Sequence, residues 1–91
     1  MIPAGTLLSE SQRRLLLAIA QGMRLKDHRD IEGHKAYALH FPDGTRQPID
    51  PNDVAALVDL GLISSNKKFP SATYWLTEHG QRIVQMLSNQ P

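Results

Sequence analysis

Leu15, Leu16, Ile19, Ala20 and Met23 recur at the three-and-four spacing of one helix face. Just ahead of them, Ser9-Glu10-Ser11-Gln12 has the form of a capping box, with Ser9 and Gln12 placed to satisfy orphan amides at a helix start. Gly22 stands where a left-handed residue would stop the helix. These signals predict a first helix over residues 9–21. Beyond it the period falls to two. Tyr37, Leu39 and Phe41 alternate with Ala36, Ala38 and His40, as in a half-buried strand whose aromatic residues are spent on core, so stacking of single-stranded bases is not expected. Pro42-Asp43-Gly44 is a turn, after which residues 45–49 can return as a partner strand. Glu32-Gly33 offers another turn and leaves residues 24–30 as a first, more polar strand. Pro48 lacks the amide of a ladder residue, so its strand belongs at an edge or ends there.

A second helix start follows at Asp50-Pro51-Asn52-Asp53: an Asp at the N-cap, Pro at N1 and acids at the positive end of the helix dipole. Val54, Leu57 and Val58 form its inner stripe and Gly61 ends it. Leu62-Ile63 begins a short strand, and residues 73–76 can pair back to it across a long polar tip at 64–72. Thr77 caps a last helix whose apolar face is Ile83, Val84 and Leu87. The expected core unites Leu16, Ile19, Leu39, Val54, Leu57, Leu62, Leu76, Ile83 and Leu87. The reading is three helices and two small sheets, with the ordered core over about residues 6–88 of a single 1–91 domain.

Composition narrows the function classes. The 91 residues have ten Lys and Arg against nine Asp and Glu, a net charge of +1, which argues against a wholesale polybasic nucleic-acid binder and against an acidic mimic of DNA. With no cysteine, disulfide scaffolds, thiolate zinc sites and cysteine nucleophiles are excluded. No apolar run approaches the roughly 20 residues of a membrane span. Residues 1–8 lack the pattern of a signal peptide. The expectation is a soluble cytoplasmic protein.

The stretch Val54-x-x-Leu57-x-x-x-Gly61-Leu62-Ile63, followed by Tyr74-Trp75-Leu76-Thr77-x-x-Gly80, resembles the second half of a winged-helix domain. The segment where an ordinary winged helix would place the first helix of its helix-turn-helix reads instead as strands. The expected fold class is therefore α+β, a winged-helix variant with an inserted β-meander between the first and second helices. That departure, together with Leu8-Ser9, Leu16, Ala20, Gly22, Arg24, Arg29-Asp30, Gly33, Gly44, Leu62-Ile63, Thr77 and Gly80, makes the chain similar to the YjhX-type toxin family. The resemblance covers roughly residues 8–87. It implies a bacterial toxin–antitoxin origin and a toxin that inhibits DNA topoisomerase I. The helix at residues 50–60 is acidic where the family tends to be basic, and the tip with Lys67, Lys68 and Phe69-Pro70 also departs from the family pattern.

No constellation points to catalysis. His28, His34 and His40 stand six apart, which is not a metal-ligand spacing, and neither a nucleophile elbow nor a phosphate-cradling glycine loop is present. No catalytic residue, metal or cofactor is expected. Groove-reading helices present Arg, Lys, Asn or Gln. The helix at 50–60 presents Asp50, Asn52, Asp53 and Asp59, so those residues serve capping and a solvated face, or meet a basic partner. Lys67 and Lys68 at the wing tip, and Arg13, Arg14, Arg24, Lys26 and Arg29 on helix one and the first strand, are either ordinary charged surface or contacts to a phosphate backbone. Either Arg29 or Asp30 braces the turn at Gly33, or Arg29 anchors a partner. If Tyr74 and Leu76 pack inward, Trp75 is an exposed aromatic and a candidate anchor. Candidate binding residues are thus Trp75, Arg29, Lys67, Lys68 and Arg24. The expected function is a non-enzymatic module that docks on a protein partner such as DNA topoisomerase I, with weak, non-specific DNA binding. The alternative is a winged-helix transcriptional regulator.

Overall fold

The computed structural model describes residues 8–29, 31–67 and 71–88. Its elements run α1 (Glu10–Ala20), β1 (Arg24–Arg29), β2 (Lys35–His40), β3 (Arg46–Ile49), α2 (Pro51–Asp59), β4 (Ile63–Ser65), β5 (Ser71–Leu76) and α3 (Glu78–Ser88). The helix starts follow from their caps. Ser9 and Gln12 form the reciprocal capping box of α1. The Asp50 carboxylate accepts the Asn52 amide at 2.9 Å ahead of Pro51. At α3 the Thr77 hydroxyl accepts the Gly80 amide at 3.0 Å and donates to the Gly61 carbonyl at 2.5 Å, tying that helix to the end of α2.

The two small sheets expected from the sequence are one. Five antiparallel strands lie in the order β3-β2-β1-β5-β4. The polar first strand is central, because β1 pairs with β2 on one side and with β5 on the other, Leu25 facing Leu39 and Tyr74. β1, β2 and β3 form a meander between α1 and α2, and Pro48 sits on the edge strand β3. The helices cover one face. Leu15, Leu16 and Ile19 of α1, Val54 and Leu57 of α2 and Ile83 of α3 share a core with Leu25, Leu39, Ile63 and Tyr74 of the strands. Leu76 and Leu87, expected in that core, pack against its margin.

One charged side chain enters the core among the described residues. Asp27 is 3% exposed. It is tolerated because donors meet it: the Tyr74 hydroxyl at 2.8 Å, the Ala72 amide at 3.1 Å and Lys35 Nζ at 3.4 Å. Burial and the bond to Asp27 push the Tyr74 phenol well above its ordinary pKa.

Candidate functional site

The sheet has two unlike faces. Alternation places Leu25, Asp27, Leu39, Tyr74 and Leu76 against the helices and turns the intervening residues outward. Arg24, Lys26 and His28 of β1, His40 of β2, Arg46 of β3 and Trp75 of β5 face outward. The other described side chains there are Ala, Pro, Ser or Thr. No carboxylate lies among the described strand residues of that face.

Register draws these groups into a line. Arg46 pairs with His40, His40 with Arg24, and Trp75 with Ser64. Because Leu25 faces Tyr74, the next step of the same ladder sets Arg24 beside Trp75. Both residues also line one shallow depression with Met23 and Gln81. The row Arg46–His40–Arg24–Trp75 therefore crosses four strands, about 14 Å from end to end at the usual strand spacing. Lys26 lies one pleat repeat along β1, about 7 Å from Arg24.

The cations of this face are unengaged. Arg14, Arg82 and Lys35 each meet a carboxylate, whereas none of the described ion pairs involves Arg24, Lys26 or Arg46. His40 reports the resulting field: burial, then Lys26, Arg46 and His28, hold its pKa below the ordinary value. Trp75 is 46% exposed, a large apolar surface at the end of the cationic row. Phosphate oxygens or other anions would find charge here, and a planar ring would find a stacking partner.

No family model, curated protein or solved structure matches the chain.

The remaining sequence candidates lie elsewhere. Arg29 projects toward the helix-covered face at the far end of β1, where its Nη1 donates to the Gly33 carbonyl at 2.9 Å. It thus braces the β1–β2 turn, one of its two readings from sequence; Asp30 lies outside the described residues. Lys67 is exposed at the β4–β5 tip with a left-handed backbone, φ 55°, and Lys68, Phe69 and Pro70 lie outside the described residues. Of the five candidates, the fold sets Arg24 and Trp75 side by side. Arg46 and His40, which complete the row, were not among them. The available signal was the alternation Arg24-x-Lys26-x-His28, which puts three basic side chains of β1 on one face and leaves Arg29 on the other. Linking it to Arg46 needed the strand register. Among the described residues no group of three His, Asp or Glu is gathered as a metal site.

Proposed function

We propose that the protein is a non-enzymatic binding module that engages the phosphate backbone of nucleic acid through the open face of its sheet. The observation that carries this reading is the one-signed row of unpaired cations, Arg46, Arg24 and neighbouring Lys26, on a face without a described carboxylate. Such contacts give sequence-independent affinity that falls with salt. The acidic N-terminus of α2 supports the same assignment by exclusion, since Asp50 and Asp53 would repel a phosphate backbone. We read the fold as a winged-helix variant, with β4–β5 as the wing and β2–β3 as the inserted part of the meander. The reading places the protein in the cytoplasm, where nucleic acid is accessible.

The test is fluorescence anisotropy with a labelled oligonucleotide over a salt series. Three phosphate contacts predict a slope of log K against log salt of about −2 to −3. The double reversal R24E/R46E should lower affinity tenfold or more and flatten the slope by roughly 1.5–2. The control R14E/R82E makes the same change in net charge on α1 and α3 and should leave the slope within about 0.5 of its starting value. Equal losses in both variants would mean that overall charge, not this face, governs binding.

A second reading is favoured by the exposed Trp75 and by the resemblance to YjhX-type toxins. In it the same face docks on a DNA-processing enzyme such as DNA topoisomerase I, with Trp75 as the anchor. Binding to the purified enzyme in the absence of nucleic acid, lost in Trp75→Ala, would distinguish it.

A further inference from the structure

Going beyond backbone contact, and resting on that reading, we infer that the open face takes a single-stranded polynucleotide rather than a duplex, its phosphates lying over Arg46, His40 and Arg24 and one base stacked on Trp75. Shape argues first. A duplex is read by an element that enters a groove, either a helix or a two-stranded ribbon. Among the described residues the outer face presents no such element. Its cations stand among Ala36, Ala38, Pro48 and Thr73, small side chains that leave the floor low. The helix in the position of a groove reader, α2, begins with Asp50 and Asp53.

The second argument is the position of the aromatic ring. A base inside a duplex hides both faces in the stack, so a protein ring can stack only on a base that has left it. Trp75 is exposed and terminates the cationic row, next to Arg24 rather than isolated from it. Cations that track a backbone beside an outward aromatic ring are the pairing by which open sheets and grooves hold single strands, and the ring tolerates any base. Arg24 and Arg46 are two strand spacings apart, about 10 Å, with His40 between them. The strand would cross the β-strands rather than run along them. Neither the phosphate contacts nor the stack senses the sugar, so the recognised chemistry is a flexible polyanion with unstacked bases.

Trp75 is the sole tryptophan, so its emission reports on this site alone. The unaltered chain is titrated with a twelve-residue oligothymidine, an oligouridine of equal length and a twelve-base-pair duplex, following tryptophan emission and the anisotropy of labelled strands together. The inference predicts quenching by both single strands and weaker binding of the duplex without quenching. Trp75→Ala should weaken single-strand binding about 5- to 150-fold, the range for loss of one base stack, and Trp75→Phe should restore most of it. Circular dichroism confirms that the variants fold. Duplex binding as tight as single-strand binding, with unchanged emission, overturns the single-strand inference while leaving the backbone reading in place. No binding of any of the three overturns both. Quenching by oligouridine but not oligothymidine, with affinities parted to match, would overturn the claim that the sugar is not sensed.

Discussion

Asp27 and Tyr74 show at the scale of single residues how the polar strand β1 becomes the centre of the sheet. A carboxylate at 3% exposure is costly unless donors surround it. Tyr74, 47 positions along the chain, supplies one at 2.8 Å, and the Ala72 amide another. Burial, and then the same bond, raise the phenol's pKa above its unfolded value near 10, so the stability linked to the protonated phenol is complete below that pH and is lost as pH rises beyond it. Tyr74→Phe keeps the ring in the core and removes the hydroxyl. It should cost about 1–3 kcal/mol, lowering the melting temperature by roughly 5–20 °C for a domain of this size. Thermal denaturation followed by circular dichroism measures it, and an unchanged midpoint would show that the hydroxyl does nothing for Asp27. In sequence, Asp27 reads as one more charge in a polar stretch. Its burial depends on a partner just over half the chain away, which no local spacing displays.

At the scale of elements, the helices were legible and the sheet was only partly so. Each helix carries its own start signal, Ser9 with Gln12, Asp50 with Pro51, and Thr77, because capping is satisfied within a few residues. The hairpins were legible for the same reason. The union of two sheets into one was not, since β1 has one buried apolar residue, Leu25, and its pairing with β5 is a long-range choice. The candidate site shares that limit: Arg24 and Trp75 could be named from alternation, but their adjacency and the addition of Arg46 and His40 are products of register. Where α3 meets the α2–β4 junction, Gly80 is buried, and a Cβ there would overlap the Leu62 carbonyl, which also accepts the Thr77 amide at 3.0 Å. Helix propensity favours Ala over Gly by about 1 kcal/mol. Displacing backbone in a packed junction costs about 1–3 kcal/mol, so the clash should win. Gly80→Ala is expected to lower the denaturant midpoint without changing the slope, and a raised midpoint would mean that α3 can slide freely.

At the scale of the whole molecule, the net charge of +1 conceals a separation. Carboxylates are spent on caps and ion pairs of the helices, on turns and on the core, as with Glu10, Asp50, Asp43 and Asp27. Arg24, Lys26 and Arg46 are left together on the side of the sheet away from the helices. A near-balanced composition argues against a wholesale polybasic binder but does not register which face each charge occupies. No helix among the described residues is long and apolar enough to cross a membrane. The central claim is that the open face of the sheet, and neither α2 nor the β4–β5 tip, meets nucleic acid. The most direct test is a titration of the isotopically labelled chain with oligothymidine, followed by amide chemical shifts. The predicted result is a set of perturbations at Arg24, Lys26, His40, Arg46 and Trp75, with residues 50–59 and Lys67 unmoved. Perturbations centred on α2 and Lys67, with the β1–β2–β3 face silent, would contradict it.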